Sequence, residues 1–470
     1  MAVDQSEITS MNETQTPSGD SKVFINNNGE FEQCELDKLM EATELSKKVS
    51  DVNTSLGNID TSINEVKETT EKIYDIVSAD AVFGFIEHMD ILSPSQRIEY
   101  IGANAGYTPV SITKGGGYSL NSWADFPWLK SNKPYMVKAD GTPDYRLNEN
   151  DYTKKEDGTD SDVSNTSYNG GAFAWAMKIY KYEKMVGSDR IVKFSFEARD
   201  GYEPVGFVDP DNNELEGVWI PMFYGSIIDS KMKCISGTQP CYNNTTATEK
   251  TAIDNFGARA KFFGGAIVQT LIDLMILFAK TTDLQGAYGN GNMNGYDVSL
   301  APTNGVKQNA VVGGGQFYGT SDGKSLNKIF HSIVLGSYQQ WMRDLYTLCV
   351  NGKLKVSKNY AYDLTGASYS DTGIEYDEVN DTSWKYPHRF QTIPGFGAIG
   401  VYPFKGSTST GGCDGLIVNK NIVAVALRFG SCYGGLSDGP RALDLGSTAA
   451  ASSWGIGAAV LLLPPVGIAA

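Results

Sequence analysis

Between residues 42 and 77, side chains that are apolar but for Thr70 recur three and four positions apart without a break. One row is Ala42, Val49, Leu56, Ile63, Thr70 and Val77; the other is Leu45, Val52, Ile59, Val66 and Ile73. Only a helix brings that spacing onto one face, and about five heptads of it form the pattern of a coiled coil. The second row is mostly β-branched where parallel dimers prefer leucine, so three strands are expected. The reading is a parallel trimeric coiled coil whose contacts are Leu45, Val49, Val52, Leu56, Ile59, Ile63, Val66, Thr70, Ile73 and Val77. Positions between the rows are almost all polar, with Gly57 alone weakening the helix. At about 1.5 Å per residue the result is a stalk about 50 Å long. The alternative is one amphipathic helix packed on its own domain.

Beyond the stalk, 470 residues with 41% apolar and 20% charged side chains can bury more than one core. A formal charge of −16 with no basic cluster argues against nucleic acid as partner, because phosphate binding needs a basic face. Six scattered cysteines, without a CxxC or a nearby histidine, read as buried thiols; a pairing of Cys234 with Cys241 stays open. Residues 1–19 are polar and acidic, lacking a basic then apolar leader, so synthesis in the cytosol is expected. Residues 262–279 are apolar but carry Gln269 and Asp273, and the tail 458–470 is short and holds Pro464 and Pro465. A buried helix and a final strand are expected there, with no membrane insertion.

In chain order, residues 1–33 read as a flexible, extended arm unless docked on something and 34–92 as the stalk, with 81–89 still helical. Glycine, asparagine and proline then punctuate short apolar runs through 93–165, a small β-rich spacer. In 166–470, residues 172–182 and 190–199 form a hairpin about Gly187. Further strands are expected at 217–225, 329–350, 354–357, 397–402, 422–429 and 458–463, with one helix over 251–280. The fold class is α+β, antiparallel strands with one or two helices and long loops.

Three separated histidines, His88, His331 and His388, give metal or triad chemistry little to work with, so no enzyme, cofactor or metal is expected. Asp209, Asp211 and Asn213 alternate like calcium ligands but lack the glycine and glutamate of such a loop, so a turn is expected. Gly115–Gly117, Gly313–Gly315 and Gly434-Gly435 likewise read as turns. Twenty-five tyrosines and seven tryptophans amid Gly, Ser and Asn loops suit a recognition surface.

Residues 173–182, 217–225, 236–237, 269–286 and 315–319 follow one another in an order similar to that of tailed-bacteriophage fibre proteins. The end of the chain, ALRFGSCYGG at 426–435, GPRAL at 439–443 and WGIGA at 454–458, resembles the closing motif of their receptor-binding domains. Those domains are C-type-lectin-like, of the formylglycine-generating-enzyme-like kind. Cys432 and Ala459 stand where that family often has an aromatic residue and an arginine. The resemblance implies a trimeric virion fibre, on head or tail, with its arm on other virion proteins and a lectin-like head over 166–470 facing a host-surface glycan or protein. It places the ligand surface on residues 431–453 and its edge, nominating Tyr433, Ser437, Asp438, Arg441, Asp444 and Trp454.

The leading expectation is therefore a structural and adhesive fibre protein. Its rivals are a virion-associated glycan-cleaving enzyme, since paired carboxylates can cleave glycosidic bonds, and a capsid decoration without ligand.

Overall fold

The computed structural model describes residues 22–27, 30–77, 82–297, 305–379 and 381–468, with side chains from 43–67 and from 82 onward. The arm's residues 1–21 and the side chains of Ala42, Thr70, Ile73 and Val77 lie outside that set. The chain divides into two compact units, up to Tyr74 and from Asp75.

The first unit holds an antiparallel hairpin, Lys22–Asn27 with Glu30–Glu35, and one helix, Leu36–Val77. The helix follows the periodicity, but the expected trimeric coiled coil is not the architecture found. Among the described residues no second helix lies along it, and Leu45, Val49, Val52, Leu56, Ile59, Ile63 and Val66 stand 45–63% exposed. A heptad pattern sets which residues share a helix face; it does not supply the surface that covers that face.

In the second unit sheets dominate, overturning the α+β, lectin-like reading. Its longest helix is the fourteen-residue Ala266–Ala279. One antiparallel sheet runs in the order Ala260–Phe262, Val460–Leu462, Gly217–Pro221, Gly170–Met177, Pro134–Lys138, Pro143–Asn148, Asp151–Lys155. The strand Pro134–Lys138 thus bonds directly to Gly170–Met177, and residues 93–165 belong to the same compact unit as the rest of the chain from Asp75. A second antiparallel sheet orders Tyr180–Val186, Asp189–Ser195, Phe83–His88 and Ile98–Gly102. The third is built on Trp341–Val350, flanked by Lys353–Val356 and Val423–Arg428, with Leu443–Leu445 and Leu416–Val418 beyond.

Local chemistry explains where elements end. The expected helix at 81–89 is instead the strand Phe83–His88, whose interior residues are buried on both faces between two partners. Residues 172–182 are not one strand: the chain leaves the first sheet after Met177 and enters the second at Tyr180. The hairpin therefore pairs Tyr180–Val186 with Asp189–Ser195 across Gly187. The helix expected over 251–280 is two, Thr246–Phe256 and Ala266–Ala279. Between them Gly264 passes so close to Asp344, and Gly265 (φ +65°) to Tyr346, that an added Cβ would lie 2.6 and 2.8 Å from those side chains. Only glycine bends the chain there without strain. The stretch 329–350 holds a short helix, Ile333–Ser337, before its strand.

Every side chain of Ala266–Ala279 except Ala279 is buried. Aromatic rings pack around it, Phe278 lying 5.1 Å from Trp123 and 5.4 Å from Phe126. Each such large side chain contributes about 1.5–3 kcal/mol by leaving water. Five cysteines, Cys234, Cys241, Cys349, Cys413 and Cys432, are buried thiols, so Cys234 and Cys241 do not pair. Asp209 accepts hydrogen bonds from the backbone of Asp211 and Asn213, a turn as expected.

One buried charge joins the segments. Glu87, fully buried, meets Arg97 at 2.9 Å, Arg190 at 3.1 Å and both terminal nitrogens of Arg441 at 3.0 and 2.9 Å. Arg190 passes the network on to Asp273, which also takes Lys181 at 2.9 Å. Burial by itself would push the Glu87 carboxyl up, but the three guanidiniums outweigh it and hold it well below the usual carboxylate range. Glu87→Ala would leave three guanidiniums without their shared partner. The expected loss is about 3–5 kcal/mol of unfolding free energy, read by urea denaturation as a lowered midpoint with an unchanged slope.

Candidate functional site

The loop nominated from the sequence follows the strand Val423–Arg428, and most of its polar residues are turned inward. Arg441 is committed to Glu87 and stacks over Phe390, 4.1 Å from the ring centroid. Ser437 bonds Tyr386 at 2.8 Å and is 8% exposed. Asp444 accepts from the Gly446 N–H at 2.6 Å and the Ser447 hydroxyl at 3.2 Å. Asp438 is fully buried, its carboxyl packed against Gly430 and Gly434, where an added Cβ would lie 2.0 and 2.1 Å from Oδ1. These four hold the loop in shape and are not presented to a ligand.

Tyr433 and Trp454 are the two nominated residues that remain available. The Tyr433 ring is 56% exposed and lies 5.4 Å from the partly exposed Trp454 ring. Tyr296, 49% exposed, also meets the Trp454 ring, at 5.5 Å. Leu436, 53% exposed, comes from the same loop as Tyr433. Large aromatic rings left in water in a row are costly unless something covers them, and rigid Tyr and Trp side chains lose little entropy on contact. Tyr296 escaped the sequence reading because it lies far upstream; its signal was an aromatic residue closing the Gly/Asn loop at 286–295.

Among the described residues no group of three or more His, Cys, Asp or Glu side chains is placed to hold a metal ion. No described helix is long and apolar enough to cross a membrane. Of the six residues expected to bind ligand, Tyr433 and Trp454 thus lie in one cluster with Tyr296, and the other four side chains are turned into the fold. No family model and no curated protein matches this chain.

Asp438 makes the loop sensitive to pH. Burial pushes its carboxyl well above the usual range; the N–H groups of Ser431 and Gly434 oppose this, and Asp414 nearby, itself raised by burial, adds to it. Cys432 and Tyr224 also face this group. A carboxyl whose pKa is higher folded than unfolded stabilises the fold below its unfolded value, and that contribution is lost as pH rises through the folded value. Asp438→Asn should therefore gain stability relative to the parent between about pH 5 and about pH 8, as urea midpoints compared across that range would show.

Proposed function

We propose that this chain is a structural and adhesive protein of a bacteriophage virion fibre, and that it contacts the host surface through Tyr296, Trp454 and Tyr433. The observation that carries the reading is the cluster of Tyr433, Trp454 and Tyr296 rings, the two tyrosines about half exposed, beside a loop most of whose polar side chains are turned inward. Aromatic faces of this kind suit the C–H faces of sugar rings, so a host-surface glycan is the proposed ligand. The resemblance of residues 173–319 and 426–464 to phage fibre and receptor-binding proteins supports the assignment to a virion.

Self-association, with a homotrimer as the proposed state, belongs to the same reading. Seven apolar residues in one exposed row of the helix Leu36–Val77 motivate it. Several copies on one particle raise avidity through effective concentration, so that each ring cluster need bind only weakly.

Binding of the purified full chain to host cells tests the reading. Trp454→Ala should lower it by about tenfold or more and Tyr433→Ala by less, with the urea midpoint of each variant unmoved. Unchanged binding by both would refute the assignment of the rings, and shortened host polysaccharide after incubation would favour the enzymatic rival. Sedimentation at micromolar concentration should give a mass of three chains; a monomer would remove the multivalent part.

A further inference from the structure

Two glycine triplets, Gly115–Gly117 and Gly313–Gly315, are almost two hundred residues apart in sequence and face each other in the fold. Gly116, Gly117 and Gly313–Gly315, together with Tyr118, Asn150 and Tyr318, line an open cleft of about 400 Å³. That is within the size range of small-molecule sites. The two walls are tied together: the Gly115 N–H donates to the Gly319 carbonyl, and the Gln316 N–H donates to the Tyr118 hydroxyl at 3.2 Å.

Turn geometry accounts for only half of these glycines. Gly115, Gly313 and Gly315 have φ of +87°, +56° and +74°. Gly116, Gly117 and Gly314 do not need glycine for their backbone. A Cβ on Gly117 would meet nothing within 4 Å, and one on Gly314 would meet only Asn150. Side chains at these positions would occupy the cleft, so their absence keeps it empty and leaves peptide groups as its walls.

The floor is rigid. Lys328, 1% exposed, donates at 2.9 Å both to the Gly313 carbonyl and to the Tyr152 hydroxyl. His331 Nε2–H donates to the Asn132 carbonyl at 3.1 Å, which leaves Nδ1 to accept from Tyr152 at 2.6 Å. Burial brings the Lys328 amine down to about 7 and keeps His331 well below its ordinary value. None of the residues lining the cleft carries a charge. Tyrosine hydroxyls, a primary amide and peptide groups offer donors and acceptors, while the two tyrosine rings offer flat apolar faces.

We propose that this cleft is a second binding site, for a neutral pyranose ring, independent of the Tyr296–Trp454–Tyr433 surface. A charged ligand would find no opposite charge to replace its hydration, whereas a hydroxyl-rich ring with C–H faces matches both kinds of lining.

The test is ligand-observed NMR on the full chain with glucose, galactose, mannose and N-acetylglucosamine, against glucuronic acid and glucosamine. At least one neutral sugar should bind with a dissociation constant of about 1 mM, as suits one ring in an open cleft, and the charged sugars at least about tenfold more weakly. Gly117→Val should weaken the neutral sugar about tenfold with an unmoved urea midpoint, and Asn150→Ala, on an exposed side chain, should weaken it several-fold. Trp454→Ala should leave this binding unchanged, which separates the cleft from the aromatic surface. No neutral sugar bound at about 50 mM, equal binding of the charged sugars, or full binding by both cleft variants would overturn the proposal.

Discussion

A single carboxylate at the start of the second unit determines how its parts sit together. Glu87 lies on the strand Phe83–His88, and its three guanidinium partners come from a neighbouring segment, the paired strand and a loop over three hundred residues later. Removing this charge from water is costly, and only several well-placed hydrogen bonds offset that cost. Arg441 satisfies both oxygens, Arg190 bridges onward to Asp273, and Arg97 also donates to the Met89 and Ile91 carbonyls. A hydrophobic core tolerates small slippages of its elements; a shared carboxylate bound by three cations has one arrangement.

The same interaction explains why the loop after Arg428 presents rings and not charges. Arg441 belongs to Glu87, and its backbone N–H is taken by Asp414 at 2.6 Å. Ser437 and Asp444 are hydrogen-bonded within the loop or to its neighbours, and the buried Asp438 carboxyl packs against Gly430 and Gly434. With the polar groups facing inward, Tyr433 and Trp454 are held where Tyr296 meets them. The glycine-walled cleft is backed by a separate set of buried hydrogen bonds through Lys328, Tyr152 and His331.

Legibility varied with the range of the interactions involved. The helix at 36–77, the strands near 217–221, 397–401 and 423–428, and the Asp209 turn follow from local spacing or local hydrogen bonds. Residues 81–89 read as helix from sequence because a strand buried on both faces shows no alternation, and its apolar run looks like a continuing helix. The break between Met177 and Tyr180 carries no glycine or proline, since it is the second sheet, not a turn residue, that draws the chain away. In the site, Tyr433 and Trp454 were nominated with the loop, but nothing in their neighbourhood points to Tyr296. Arginine and aspartate in a surface-like loop looked available because their partners, Glu87 above all, are remote in sequence.

By itself, the sequence determined which face of the helix is apolar, the alternation of short strands with glycine turns, the acidic charge and the supply of aromatic residues. Each depends on residues within a few positions of one another, where spacing and backbone preference suffice. Tertiary structure alone decided that the spacer and the head are one body, which side chains of the closing loop face inward, and that two glycine triplets share a cleft. Those outcomes depend on contacts between residues far apart in the chain, and no local pattern records which distant group a buried charge or an exposed ring will meet.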